Sequence, residues 1–369
     1  MNIVKIELLN FRNYRKKTFD KFSNLNIIIG KNGVGKTSII ESIYIGSLAK
    51  SFKTNNDFTI IKKNADFFKI KIHCYDYHIN KTLELYYDKS GTKTKINSYS
   101  QKRLSDFISQ YRVIMLYPEE VRIIKSSPAI RRNYLNIELS QLNKQYLRSL
   151  NNYNSLIKNK NEYLKKMQFL NISDTTYLDT LDEKIVDEGM IIYKCRSDYI
   201  ESINKYIDEK FKKFIKECNI KLQYDSDFSI FDKNSLLKKM QENRPKEMKF
   251  GMTNFGVHRD DVLFLYNGYD AKEYCSQGFQ KLIVLALKLS EIEIFINEYD
   301  IKPILLLDDL FSELDEKNRN NIFKSLDSSL QIFITTTDLK NINRNIINRA
   351  KIYNLDEIGR WIKWMKIME

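Results

Sequence analysis

The hydrophobic rhythm of the chain switches repeatedly between strand and helix periods along its length. Residues 2–10 partly alternate, as an edge strand does, and residues 25–29 (Leu-Asn-Ile-Ile-Ile) form a short apolar run that ends in a glycine-rich turn. A helical pattern follows over 36–49. From 67 to 99 short alternating runs return, such as Phe68-Lys69-Ile70-Lys71-Ile72 and Thr82-Leu83-Glu84-Leu85-Tyr86, and these predict hairpin strands. In the middle of the chain the period becomes helical. Leu139, Leu142, Tyr146, Leu150, Tyr153 and Ile157 recur three or four apart, as do Leu178, Leu181, Ile185, Ile192, Cys195, Tyr199, Ile203 and Ile207. Strand character resumes at 262–266 before the turn pair Asn267-Gly268, then at 303–307 and 331–335, with a strongly apolar helix over 279–297. The expected fold is α/β: a head of mixed sheet and helices, split in two by an inserted helical lobe. The boundaries predicted from this pattern are 1–135 and 250–369 for the two parts of the head and 136–249 for the lobe.

The turn after residue 29 carries the sharpest motif. Gly30-Lys31-Asn32-Gly33-Val34-Gly35-Lys36-Thr37, followed by Ser38, satisfies the phosphate-loop pattern between a predicted strand and a predicted helix. Its glycines let backbone N–H groups converge on phosphate oxygens, and the helix N-terminus adds partial positive charge. In this arrangement Lys36 reaches the β- and γ-phosphates of ATP and Thr37 ligates Mg²⁺. The apolar run 304–307 ends in Asp308-Asp309. Asp308 is the expected metal-side carboxylate, and Asp309 is placed to orient or deprotonate the attacking water. Lys36, Asp308 and Asp309 are thus the candidate catalytic set. Ser276-Gln277-Gly278, at the start of the 279–297 helix, resembles the signature loop of ATP-binding-cassette ATPases, which acts on ATP held by the other subunit. Ser312 and Asp315, just after the acids, resemble the loop that crosses the dimer interface in such heads.

Composition adds less. The chain of 369 residues has a net charge of +14, a balance that suits a phosphate-bearing partner. The same excess follows from an AT-rich coding bias toward Lys, Asn, Ile and Tyr, so distribution is more informative than total. Residues 137–250 hold 21 basic and 18 acidic side chains, which leaves +11 of the +14 in the flanking segments. Two clusters there are candidate DNA contacts: Lys50, Lys53, Lys62 and Lys63, and then Lys93, Lys95, Lys102 and Arg103. The four cysteines, Cys74, Cys195, Cys218 and Cys275, are scattered and predict neither a zinc site nor a disulfide framework. With no signal-peptide pattern and no apolar run of spanning length, a cytoplasmic location is expected.

Several further blocks resemble the RecF family of bacterial repair proteins. Asn10-Phe11-Arg12-Asn13-Tyr14 precedes the phosphate loop at the family's distance, and Ala49-Lys50-Ser51-Phe52-Lys53-Thr54 is similar to its basic "gRSFRT" stretch. Tyr117-Pro118-Glu119-Glu120, Ser127-Pro128 and Arg131-Arg132 resemble its mid-chain block, and Gly256-Val257-His258-Arg259-Asp260-Asp261 its "GPHRDD". Leu307 to Asp315 and Ile334 to Leu339 complete the series, in order, from about residue 10 to 340. Three positions depart from the family: Phe279 for Gln in "SQGQ", Val257 for Pro, and Asn136 for Asp after the double Arg. The resemblance implies a P-loop cassette-type ATPase head with a helical lever lobe and places Arg12 at the ATP. It also implies an ATP-dependent homodimer with slow, DNA-stimulated hydrolysis and DNA binding without sequence specificity at gapped duplexes. The implied partners are RecR, RecO and the RecA recombinase, in recombinational repair, replication restart and the SOS response.

Rival classes fit less well. A transporter ATPase carries a switch His where this chain reads Thr335-Thr336-Thr337, and a chromosome-structuring ATPase needs a longer arm than the roughly 110 residues between the two halves.

Overall fold

The structure, a computed structural model, describes residues 1–54, 56–76, 79–170, 174–230, 232–310, 314–340 and 342–356. In chain order the first elements are β1 (Asn2–Phe11), β2 (Tyr14–Asp20), β3 (Leu25–Ile29), α1 (Lys36–Leu48), β4 (Phe68–Asp76), β5 (Ile79–Asp88), β6 (Gly91–Ile96), β7 (Tyr99–Ser100), α2 (Leu104–Phe107) and β8 (Val113–Leu116). Next come α3 (Arg122–Lys125), α4 (Pro128–Leu142), α5 (Lys144–Leu170), α6 (Thr176–Lys212), β9 (Ile220–Asp225), α7 (Lys233–Phe250), β10 (Asp261–Tyr266), β11 (Tyr269–Asp270), α8 (Ala271–Tyr274) and α9 (Gln277–Asn297). The chain closes with β12 (Ile304–Asp308), α10 (Glu316–Ser325), β13 (Ile332–Thr336), α11 (Arg344–Ile347) and β14 (Lys351–Asn354).

The chain divides into two compact units, one of Met1–Glu120 with Lys288–Glu369 and one of Val121–Leu287. The first contains two sheets. One is antiparallel, in the order β2-β1-β4-β5-β6-β7, and the other is parallel, in the order β14-β3-β13-β12-β8. Helix α1 touches β4 and β5 of the first sheet and β8, β12 and β13 of the second. It therefore has no polar stripe: Ile39, Ile40, Ile43, Tyr44, Ile45 and Leu48 are all buried. Gly46 permits this close approach, since a Cβ there would lie 2.2 Å from Ile72 Cδ1 and 2.5 Å from the Tyr111 hydroxyl.

The first strand differs from its expected edge position. Residues 14–20 fold back as β2 and take the edge, so β1 pairs on both sides, with β2 and β4. Its inner positions Ile6 and Leu8 are buried, while its polar positions lie on the open face of the sheet.

The second unit is built from α4 to α7 and a small antiparallel sheet, β11-β10-β9. The short connection after α5 makes α5 and α6 antiparallel neighbours. This unit is larger than the expected 136–249 lobe, because β10 pairs along its whole length with β9 and α4 packs on β10. Residues 121–135 and 250–287 consequently group with the helices rather than with the head. Helix α9 crosses the boundary.

The helices of the second unit enclose charge. Lys160 of α5 is fully buried, with its Nζ 2.7 Å from Asp182 of α6 and 2.7 Å from Glu247 of α7. Arg244 reaches Asp179 at 2.7 Å and Asp182 at 2.8 Å. Taking away one partner of such a group leaves uncompensated buried charge. Lys160→Met should therefore lower the unfolding free energy of this unit by about 3–5 kcal/mol, measured by denaturant titration with far-ultraviolet circular dichroism. A loss within experimental error would show that Arg244 and a proton shared between the carboxylates compensate for the lysine.

Candidate nucleotide site

The parallel order of the head sheet sets the site. Strands β3, β13 and β12 run the same way, so their carboxyl ends share one edge, with β13 between the other two. The phosphate loop leaves β3 at this edge, Asp308 and Asp309 leave β12, and Thr335 lies at the end of β13. Gly33 and Gly35 adopt φ of +81° and +106°, which a side chain would strain. At Gly35 a Cβ would also lie 2.7 Å from the Tyr14 hydroxyl.

Hydrogen bonds tie these segments together. The Thr37 hydroxyl donates to Asp308 Oδ1 at 3.0 Å, and the Thr335 hydroxyl donates to the same oxygen at 2.6 Å. Thr335 Oγ1 in turn accepts the Asp309 N–H at 2.9 Å. Asp309 takes a left-handed φ of +49°, an unusual conformation for a residue with a side chain. The Lys36 ammonium donates to the carbonyls of Gly30 (2.7 Å) and Lys31 (3.0 Å). Burial lowers its pKa, opposed by Asp309, Asp308 and Asp356. Burial raises the pKa of Asp308, opposed first by the bonds from Thr335 and Thr37. A carboxylate and a hydroxyl 3.0 Å apart in a desolvated corner are hard oxygen donors of the kind that suit Mg²⁺.

These groups border a cleft of about 270 Å³, lined by Asn13, Asn32, Gly33, Gly35, Lys36, Thr37, Ser38, Lys53, Asp309 and Thr335. Gly30 and Val34 stand behind the loop. A Cβ on Gly30 would lie 2.9 Å from Val34 Cγ2. The Lys31 side chain is exposed, but its N–H is held 3.2 Å from both carboxylate oxygens of Asp356.

Some expected residues lie elsewhere. Arg12 does not line the cleft. Its guanidinium is engaged by Glu41 of α1, with Nε 2.8 Å from Oε2, and by the carbonyl of Thr59 at 2.9 Å. It acts as a strut for the two residues behind it: Asn13 donates to the Gly33 carbonyl at 3.1 Å and Tyr14 to the Gly35 carbonyl at 3.2 Å. Lys53, expected on a DNA surface, lines the nucleotide cleft. The turn after α1 folds back over the loop there, held by Ser51 donating to Glu41 at 2.6 Å. Lys62 donates to the Asn13 carbonyl at 3.0 Å, and Lys50 and Lys63 are exposed.

Lys93 and Lys95 lie on β6, opposite Tyr86 and Glu84 of β5, which in turn face Lys69 and Lys71 of β4. The four lysines therefore share one face of the antiparallel sheet. No acid lies between Lys93 and Arg103 in the sequence, yet the pairing brings Asp88 within 3.7 Å of Lys93 and puts Glu84, bridged to Lys69 at 2.9 Å, opposite Lys95. Lys102 and Arg103 are exposed beyond β7.

In the second unit Ser276, Gln277 and Gly278 are exposed at the start of α9, and Ser276 Oγ accepts weakly from the Phe279 N–H at 3.4 Å. Phe279 packs edge-on to Tyr266. The neighbouring Gln280 is buried and holds the turn by donating to the carbonyls of Ala271, Lys272 and Cys275. Ser312 lies outside the described residues. Asp315 caps α10, accepting the Asn318 N–H at 2.7 Å. Asp260 and Asp261 bind Arg196 (2.6 Å) and Arg131 (2.5 Å), and Asn136 accepts from Arg196 at 3.0 Å.

Comparison with known proteins decides the family. The model of the RecF/RecN/SMC N terminal domain matches residues 2–357. A relative from Staphylococcus aureus strain Newman, described as DNA replication and repair protein RecF, is 35% identical over 372 residues, covering 98% of this chain and all of that one. The chain belongs to the RecF family. Its fold agrees with the solved structure of the recombination mediator protein RecF-ATP in the RecFOR pathway, at a TM-score of 0.87 and 30% identity over 92% of this chain and 93% of that one. The structure of an Smc head bound to the C-winged helix domain of ScpA aligns at a TM-score of 0.54 and 17% identity, over 95% of this chain and 92% of that one, a likeness of fold alone.

Thr335 is the residue of this RecF-family site that motif reading passed over, since nothing in a run of three threonines marks the one that faces an acid. Thr335→Val keeps the shape and removes the hydroxyl that joins Asp308 to the Asp309 backbone. Mg²⁺-dependent nucleotide affinity should fall about tenfold, the worth of one or two buried bonds to a charged group, while binding without Mg²⁺ should hardly change. Nucleotide titrations with and without the metal test this, and equal losses in both would remove Thr335 from the metal corner.

Proposed function

We propose that this chain is an ATP-controlled DNA-binding protein of recombinational repair, closed into a homodimer by ATP and reset by slow hydrolysis. The observation that carries the reading is the link of Thr37, Asp308, Thr335 and the Asp309 N–H beside a glycine cradle, an arrangement suited to phosphoryl transfer. The relatives support it: one is described as a DNA replication and repair protein, and solved structures of family members are described as RecF-ATP and RecF-ATPrS.

In this reading the loop N–H groups and Lys36 hold the β- and γ-phosphates. Lys36 is preorganised for that role, because its present partners are two neutral carbonyls that phosphate oxygens outcompete. Lys53 adds a second cation at the cleft mouth. Thr37 and Asp308 would hold Mg²⁺, which supplies charge neutralisation of the phosphates. Asp309 orients the attacking water. As a short carboxylate on a constrained backbone it supports modest turnover. Arg12 serves as a positioning residue through Asn13 and Tyr14.

Ser276, Gln277 and Gly278 act on the ATP of a second copy. Their exposure suits this, because the buried Gln280 side chain holds the turn and the Ser276 hydroxyl adds only a weak 3.4 Å bond. DNA is gripped on its backbone through the basic sheet face of Lys69, Lys71, Lys93 and Lys95, extended by Lys102 and Arg103. RecO, RecR and RecA are the partners the family resemblance implies, at gapped duplexes.

Analytical ultracentrifugation with and without ATP tests the dimer. Wild type should shift from monomer to dimer with ATP, and Ser276→Arg should bind ATP yet stay monomeric. A mutant that dimerises normally would overturn the shared site.

Binding of gapped duplex, followed by fluorescence anisotropy over a salt series with ATP, tests the sheet face. Replacing Lys93 and Lys95 with Gln should reduce the salt slope by about one unit per true phosphate contact, without altering sequence preference. An unchanged slope would move the DNA to another surface.

A further inference from the structure

The head sheet has a second cleft on the opposite edge from the phosphate loop. Met1, Asn2, Tyr75, Gln110, Tyr111, Arg112, Asp300, Ile301, Lys302 and Ser329 enclose about 660 Å³ there. Arg112 immediately precedes β8 and Lys302 nearly abuts β12, so both sit at the amino ends of parallel strands, whereas the nucleotide site sits at the carboxyl ends. The volume falls within the range of roughly 300–1,000 Å³ usual for small-molecule sites.

Arg112 is the unusual member. Its Nε–H is buried and has no hydrogen-bond partner among the described residues, and no carboxylate among them acts on its charge. Burial alone lowers its pKa to about 10. Four other arginines are paired with carboxylates. Arg12 is bonded to Glu41, Arg131 to Asp261, Arg196 to Asp260 and Arg244 to Asp182. Arg112 is half-buried, and a partly desolvated guanidinium with no carboxylate partner gains when an anion completes it.

The backbone around Arg112 is well fixed. Its carbonyl accepts the Ile304 N–H at 2.8 Å, which locks the β8 entrance to β12, and the neighbouring Tyr111 hydroxyl is engaged by the Ile43 carbonyl. Gln110 is held by Lys81, whose Nζ donates to Oε1 at 3.0 Å. Lys302 is an exposed second cation of the cleft, against the single carboxylate of Asp300. Tyr75 contributes a largely exposed aromatic surface.

We propose that this cleft is a second anion site, in which Arg112 binds the oxyanion head, phosphate or carboxylate, of a small molecule. The fork of the guanidinium matches either head, and Lys302 adds charge at the mouth. The site is distinct from the nucleotide site, shares no residue with it, and goes beyond the proposed function.

The test uses the full chain carrying Lys36→Ala, so that the phosphate loop is silenced. Titration calorimetry and thermal unfolding with inorganic phosphate and, separately, with acetate read the second site and distinguish the two head groups. Phosphate or acetate should bind and raise the melting temperature. Adding Arg112→Gln should weaken that binding at least about tenfold, as loss of charge-assisted bonds implies. Arg112→Gln without anion should melt no lower than its parent, because it removes a desolvated cation that no carboxylate balances. The proposal is overturned if neither anion binds the Lys36→Ala protein, or if binding survives Arg112→Gln. It is equally overturned if Arg112→Gln unfolds early without anion, which would mark a structural arginine. Loss of duplex DNA binding with small-anion binding intact would make Arg112 a nucleic-acid contact and would also end the small-molecule reading.

Discussion

Asp308 is a buried carboxylate that desolvation drives toward its neutral form and that two threonine hydroxyls keep poised. The geometry of the head follows from that constraint. Thr37 opens α1, Asp308 ends β12 and Thr335 lies near the end of β13, so a single oxygen registers three elements that are far apart in sequence. It can do so only if the three strands behind them are parallel and end together, with β13 between the loop strand and the acid strand. The pairing Leu307 with Ile334 and Thr335 with Ile28 supplies that alignment. A slip of one residue would turn Thr335 to the other face of the sheet and leave Asp308 buried without its shorter bond. The same alignment puts the Asp309 N–H on Thr335, which fixes the left-handed turn that presents the second acid.

The antiparallel sheet is secured to this core at both ends of β1. Gln331, buried just before β13, donates to the Ile3 carbonyl at 2.8 Å and accepts the Ile3 N–H at 2.7 Å, in the manner of a neighbouring strand. At the other end Arg12 grips Glu41 in α1. Between these anchors the turn after β1 is pressed against the phosphate loop, and the Tyr14 hydroxyl meets Gly35. The loop is thus shaped from outside by the sheet, and Arg12 braces it without lining the cleft.

What the sequence made legible was whatever is written in contiguous residues. The phosphate loop, the acids after an apolar strand, the helix that opens with Ser276 and the long amphipathic helices are all local patterns, and each falls where its periodicity placed it. What depends on pairing was hidden. β1 alternates like an edge strand, and only the return of β2 makes it internal. No acid lies between Lys93 and Arg103, while the register sets Glu84 and Asp88 beside Lys95 and Lys93. Lys53 sits in a basic stretch like any surface lysine until the turn after α1 folds it over the nucleotide cleft. Asp356 and Thr335 come from distant segments with no motif of their own. The lobe boundary moved for the same reason: β10 looks like head sequence, but its hydrogen bonds go to β9.

The chain handles buried cations in two ways. In the second unit Lys160, Arg131, Arg196 and Arg244 each have carboxylates supplied by another element, so their charge is neutralised within the fold and holds helices in register. In the first unit Lys36 is desolvated yet bonded only to carbonyls, which leaves its charge available at the cleft. The difference is one of completeness. A cation balanced by its own protein contributes to structure, and a cation held by neutral groups contributes to recognition, because an incoming anion gains the full interaction without first displacing a carboxylate. Arg112 falls on the recognition side of that division. It shares with Lys36 the combination of partial burial, a fixed backbone and a cleft in front, at the other edge of the same sheet.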